Sequence, residues 1–145
     1  MADLERFILR VLTPERQIFS GEVETVTAAG HAGDFGVLPG HCAYITAVRP
    51  GALTIDTGSG RKVFASGEGF AQVTAESVSI IVSRCEPAAM IDVAAARQAM
   101  HDAEAVLLET GPTDSAYLDA KVEQSLALGR LLAVDALAST SGTRS

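Results

Sequence analysis

The segment Gly-Asp-Phe-Gly-Val-Leu-Pro-Gly-His-Cys at positions 33–42 gathers the groups of this 145-residue chain most able to do chemistry. His41 and Cys42 offer a base and a thiol nucleophile side by side. In an extended segment, however, neighbouring side chains point to opposite faces, so the two are badly placed to exchange a proton. A reactive thiolate also needs a base close in space and an electropositive setting. The other histidines, His31 and His101, have no spacing that ties them to Cys42 or Cys85. The three histidines together match no zinc-ligand pattern. The glycines do not form a phosphate cradle either. No Lys-Ser/Thr follows them, and the next residues read as a strand rather than a helix that could lend its dipole. The run Ser66-Gly67-Glu68-Gly69-Phe70 also lies between strands. No catalytic residue and no metal site is expected, and both glycine-rich runs read as turns and bulges.

The bulk properties narrow the function classes. With 48% hydrophobic and 20% charged residues the chain is ordinary for a globular protein. Its net charge of -7 makes it a poor non-specific ligand for nucleic acid or anionic lipid, which call for a surplus of Lys and Arg. The N-terminus is charged at once, unlike a signal peptide. No apolar run approaches the ~20 residues that span a bilayer. Cys42 and Cys85 stand alone without CxxC spacing, and both are expected to be buried free thiols.

The elements that position these residues change character near Pro87. Before it, short segments alternate with period two and end at glycine or proline: 7–12, 17–29 with Gly21 as a bend, 43–48, 52–57, 62–66, 70–74 and 77–82. Such spacing predicts a β-sandwich or barrel. After it the chain is Ala-rich with a period near 3.6. Asp92 is suited to cap a first helix, whose stripe is Val93, Ala96, Met100, Ala103 and Leu107. Gly111 and Pro112 should end it through a left-handed glycine cap. Thr113, Asp114 or Ser115 can cap a second helix. Its stripe begins Leu118, Val122, Leu126 and is broadened by Leu128, Leu131, Leu132 and Val134, with Gly129 as a weak point. The fold class is α+β: an N-terminal antiparallel β-sandwich over 1–87, an antiparallel two-helix hairpin over 88–138, and a frayed tail over 139–145. Alanine buries little area, so the hairpin should lie on the sandwich, lie on a partner, or alternate between them.

With its flanks, the 33–42 segment resembles a known family. The run 11–23 (VLTPERQIFSGEV) is similar to the first hairpin of the ε subunit of bacterial and chloroplast F-type ATP synthases. The family's Gly-acidic-X-Gly-X-X-Pro-Gly-His segment is matched by Gly33, Asp34, Gly36, Pro39, Gly40 and His41. Its Pro-Gly-X-Leu-X-Ile strand start is matched by Pro50, Gly51, Leu53 and Ile55, and its later glycine-rich turn by Gly67 and Gly69. The resemblance covers the chain in order, sandwich then helices. It implies a non-catalytic rotor subunit whose partners are the γ subunit, the c-ring and the α/β subunits of F1. Such a subunit couples proton-driven ring rotation to ATP synthesis. It implies no nucleic acid and no cofactor. Membrane association would come only through the complex, at the cytoplasmic face of the bacterial inner membrane. The loop His31, Ala32, Gly33, Asp34 and Phe35 would face the c-ring, with Phe35 and Leu38 as apolar anchors.

Two further family traits concern the helices. In several members the hairpin inhibits ATP hydrolysis through basic residues on the second helix. Here Lys121 and Arg130 stand against Asp114, Asp119, Glu123 and Asp135. Some members bind ATP through an Ile/Leu-Asp-X-X-Arg-Ala motif, which implies an alternative role as an ATP-sensing switch. This chain has Ile91-Asp92-Val93-Ala94-Ala95-Ala96, with Ala95 in the Arg position. The remnants of a nucleotide site would be Glu86, Ile91, Asp92 and Arg97.

Overall fold

The computed structural model describes residues 6–30, 33–40 and 42–142, with side chains described as far as Ser139. Ten strands come first: β1 (Phe7–Leu12), β2 (Gln17–Val23), β3 (Thr25–Gly30), β4 (Gly33–Val37), β5 (Tyr44–Val48), β6 (Gly51–Asp56), β7 (Arg61–Ser66), β8 (Gly69–Val73), β9 (Ser77–Val82) and β10 (Cys85–Pro87). A 3-10 turn, Ala88–Met90, leads to helices α1 (Val93–Glu109) and α2 (Ser115–Gly142). The expected β-sandwich followed by a helical hairpin is therefore the observed fold.

The strands form one hydrogen-bonded path, β10-β7-β6-β3-β5-β8-β9-β1-β2, with β4 paired to β3. The ladder between β3 and β5 narrows to the pair Gly30 and Val48. That thin join separates a layer built on β10, β7, β6, β3 and β4 from a layer built on β5, β8, β9, β1 and β2. Most neighbours are antiparallel, but β1 runs parallel to β9. Between the layers the inward alternate residues close a core that includes Leu9, Val11, Val23, Leu53, Ile55, Ile80 and Val82, all essentially without solvent contact. Strand β7 is buried on both faces, because Phe64 joins this core while Val63 and Ala65 face the helices.

Several local expectations are corrected. The Gly-Asp-Phe-Gly run is not a turn: it is strand β4, with Phe35 opposite Ala28 and Asp34 opposite Ala29. Gly21 makes no bulge, because it lies in register opposite Leu9, and the irregularity falls at Val11 and Leu12. Segment 17–29 breaks into two strands at Glu24. Helix α1 is capped as expected, with Ala95 N donating to Asp92 Oδ1 at 3.1 Å. Its C-terminus does not use a left-handed glycine. The capping residue is Thr110, in extended backbone, and its hydroxyl donates to the Val106 carbonyl at 2.8 Å. Asp114 caps α2 by accepting from Ala116 N at 3.0 Å. Helix α2 continues to Gly142, past the expected end at 138.

The contact face of α2 differs most from expectation. Leu118, Val122, Leu128 and Leu132 are exposed, while Ala120, Ala127, Gly129 and Ala133 are buried. Two close approaches explain this. Ala96 and Ala103 of α1 and Ala120 and Ala127 of α2 are buried, each pair seven residues apart. Small side chains there let the helix axes come near one another. On a neighbouring face α2 lies on β6 and β7. There Ala133 is fully buried beside Val63, Ala65 and Ala88, with Ala52, Ile91, Ala136 and Leu137 around it. A Cβ at Gly129 would sit 2.8 Å from Gly51 N and 3.0 Å from the Pro50 carbonyl carbon. Gly129 is thus where the helix backbone touches the sheet backbone. Bulky residues cannot occupy these lines and flank them instead.

Replacing Gly129 with Ala sets two effects against each other. Helix propensity gains about 1 kcal/mol, but overpacking a fixed backbone contact costs about 1–3 kcal/mol. Urea unfolding of the full chain should show a net loss, and a Gly129→Ala variant more stable than the parent would contradict the close approach.

Candidate functional site

The helices cover only the layer that contains β6 and β7. Across the other layer, outward-facing residues line up in register. Ala47 pairs with Phe70, Phe70 with Ile81, and Ile81 with Leu12. Phe70 and Ile45 are 44% and 69% exposed, Ile8 is also exposed, and Ile81 and Leu12 are half-buried. A continuous apolar band of this kind on an uncovered sheet is the mark of an interaction surface. Ile45 stands in the next row, opposite Gln72, and that row is polar across the rest of the sheet, with Gln72 opposite Ser79 and Ser79 opposite Arg10.

The glycine-rich segment adjoins this face. Strands β3 and β4 pair as a hairpin, and His31 and Ala32, the residues between them in sequence, lie outside the described residues, as does His41. Gly33 takes φ +137° and Gly40 φ +80°, conformations that favour glycine. Phe35 packs against the sandwich core, its ring edge close over Gly30. Asp34 is exposed. Gly33, Asp34 and Phe35 line a cavity of about 380 Å³ together with Tyr44, Ile45 and Thr46. The hairpin flank and the apolar band therefore meet at Ile45. Of the two expected anchors, Phe35 serves the core, and Leu38 is 61% exposed. Gly36 pairs with Thr27 in the β3–β4 ladder, and Pro39 lies between β4 and Gly40. Pro50 and Gly51 sit beneath Gly129. Gly67 N donates to the Arg84 carbonyl at 2.8 Å, and Gly69 opens β8 opposite Val82.

The residues singled out for nucleotide are engaged elsewhere. Arg130 Nε lies 2.7 Å from Glu86 Oε1, joining α2 to strand β10. Asp92 caps α1. Ile91 packs into the cluster around Ala133. Arg97 is exposed on α1. The arrangement leaves Arg97 as the one member without a structural role among the described contacts.

The thiols differ from expectation in one respect: Cys85 is buried but Cys42 is exposed, and neither forms a disulfide. Burial, and then the neighbouring Glu86 charge, push the Cys85 thiol up to about 12 from an ordinary 9.0. It is therefore a protonated core residue and a poor nucleophile. Among the described residues no cluster of His, Cys, Asp or Glu could hold a metal ion, and no helix is long and apolar enough to cross a membrane.

This architecture can be set beside known proteins. Residues 6–88 match the family model described as ATP synthase, Delta/Epsilon chain, beta-sandwich domain. The chain belongs to that family. It is 44% identical over 93 residues to the ATP synthase epsilon chain of Maricaulis maris, covering 63% of this chain and 68% of that protein. It is 35% identical over 124 residues to the epsilon chain of Geobacter metallireducens, covering 84% and 90%. Among solved structures, a chain of the Euglena gracilis mitochondrial ATP synthase, OSCP/F1/c-ring, superposes with a TM-score of 0.75 at 22% identity, covering 84% of this chain and 77% of that one. A chain of the Tetrahymena thermophila mitochondrial ATP synthase central stalk and c-ring gives 0.59 at 16% identity, covering 92% and 99%. The epsilon-chain assignment made from sequence motifs is thus correct.

Sequence reasoning within the family missed two features. One is the apolar band, whose signal was Phe70 and Ile81 at positions of outward parity beside Gln72 and Ser79. The other is the Glu86–Arg130 contact, for which 44 residues of separation leave no local signal.

The Cys85 environment sets a pH dependence. The folded chain keeps this proton to about pH 12, whereas the unfolded chain releases it near 9.0. The associated stability is intact below pH 9.0 and is lost as pH rises towards 12. Urea midpoints should fall more steeply across that window for the parent than for Cys85→Ala. Equal slopes would show that Cys85 is not so shielded.

Proposed function

We propose that this chain is a non-catalytic rotor subunit in the central stalk of an F1Fo ATP synthase. In this reading it links γ to the c-ring and so transmits proton-driven rotation towards ATP synthesis in the α/β hexamer. The observation that carries the reading is the uncovered apolar band of Ala47, Phe70, Ile81 and Leu12, with exposed Ile45 in the adjoining row. This face is the docking surface for γ, and the neighbouring β3–β4 hairpin with Asp34 is directed to the c-ring. The chain sits at the cytoplasmic face of the bacterial inner membrane as a peripheral member of the complex. Its relatives are named ATP synthase epsilon chains, and its structural neighbours belong to mitochondrial ATP synthase assemblies, one of OSCP, F1 and c-ring and one of central stalk and c-ring.

No bound nucleotide is part of this function, because Glu86 and Asp92 are already paired and Ala95 replaces the guanidinium that a phosphate would need. Any restraint on ATP hydrolysis by the hairpin would come from its position rather than from basic residues. Arg130 is committed to Glu86, which leaves Lys121 as the basic residue of α2 outside an ion pair among the described residues.

The test is capture of γ by the tagged full chain. Charged substitution at the centre of an apolar interface removes binding energy of about 2 kcal/mol or more. The Ile45→Asp/Phe70→Asp double variant should therefore bind γ at least about tenfold more weakly, while Leu108→Asp on the hairpin retains parental affinity. Parental affinity in the double variant would overturn the assignment of the face. Measurable ATP turnover by the isolated chain would overturn the non-catalytic role.

A further inference from the structure

We infer that Glu86 and Arg130 form a charge latch that holds the helical hairpin on the sandwich, so that docking responds to ionic strength rather than to a nucleotide. The geometry that carries this is the placement of the pair. Glu86 lies on β10 at the edge of the sheet, and Arg130 lies on α2 one residue from Gly129, where helix and sheet backbones touch. Among the described residues it is the ion pair that joins the two units: Arg6 with Glu24 and Arg61 with Asp56 both lie within the sandwich. At 2.7 Å, and with side chains 28% and 37% exposed, it is short and partly shielded.

The rest of the seam explains why a single pair matters. It is built mostly of small residues, Gly129, Ala133 and Ala136 against Pro50, Gly51, Ala52, Val63, Ala65 and Ala88, with the half-buried Leu137 and Ile91 at its margin. Small residues allow the close fit but each buries little apolar area, and hydrophobic stabilisation scales with that area. The helix brings no other compensating charge to this point. Loss of Arg130 would therefore leave Glu86 without its ionic partner at the seam. An exposed pair is usually weak, but a seam of this kind sits close to balance, where a small free energy shifts the population. Salt reaches the pair through the exposed part of both side chains, and the Debye length falls to about 3 Å at 1 M salt.

The full chain supplies its own labelling site. Cys42 is exposed and Cys85 is buried, so a nitroxide on Cys42 and a second on Leu108→Cys report the distance between sandwich and hairpin tip by pulsed dipolar spectroscopy. The parent in low salt should show one dominant docked distance. Glu86→Arg and Arg130→Glu should each raise the undocked fraction about fivefold or more, as should 1 M potassium chloride with the parent. The charge-swapped pair Glu86→Arg/Arg130→Glu should return the docked distance, and Mg-free ATP should leave the parent distribution unchanged. Docked distributions in both single variants would overturn the latch. Failure of the swapped pair to restore docking would do the same, because charge would then not be the operative property. Conversion of the distribution by ATP would overturn the claim that docking is independent of nucleotide.

Discussion

The contact between Gly129 of α2 and the backbone at Pro50 and Gly51 fixes the arrangement of everything around it. Because no side chain intervenes there, the helix lies close enough for Ala133 to reach Val63 and Ala65. The same proximity brings Arg130 onto Glu86. It also explains the composition of β7, which is apolar on both faces although it belongs to a layer that would otherwise face solvent. Alanine on α1 then follows α2: Ala96 and Ala103 pack at the spacing set by Ala120 and Ala127. The seam between helix and sheet is held by short distances between small residues, while the large buried side chains lie in the sandwich core.

Covering one layer leaves the other open, and the proposed docking of γ rests on that asymmetry. The layer under the helices is closed by packing within the chain. The opposite layer carries Phe70, Ile45 and Ile8 in solvent. An isolated sandwich would be expected to place polar residues there. A subunit of a larger machine has reason not to, because its open face is completed by another chain. The β3–β4 hairpin extends from the helix-covered layer, yet its flank meets the open face at Ile45. One rigid body can in this way engage two partners at adjoining sites.

Much of this was legible in the sequence, and the failures have physical causes. Strands β1 and β9 were readable because 7–12 and 77–82 are short runs rich in apolar and β-branched residues, the first closed by Thr13-Pro14. Asp92 and Asp114 were readable as caps because their chemistry is local. Strand β4 was not, because two of its five residues are glycine, and its extended form is decided by pairing with β3 rather than by propensity. The face of α2 was misread for a related reason. Hydrophobic periodicity ranks leucine above alanine, whereas close approach between backbones selects the smallest residues. Cys42 was expected to be buried from the average behaviour of cysteine, but its place outside the strands leaves it exposed. For the candidate site, the motif glycines were visible but the surface they support was not. The apolar band forms only when β5, β8, β9 and β1 are set side by side, and no single segment displays it.

The account rests on α2 lying against β7 in the free chain, and the most direct measurement is methyl–methyl nuclear Overhauser spectroscopy on the full protein with labelled Ala and Val methyl groups. The Ala133 methyl should show cross-peaks to Val63 and Ala65. An Ala133 methyl with cross-peaks only within the hairpin, and none to β7, would contradict the docked arrangement and with it the roles given to Gly129 and Arg130.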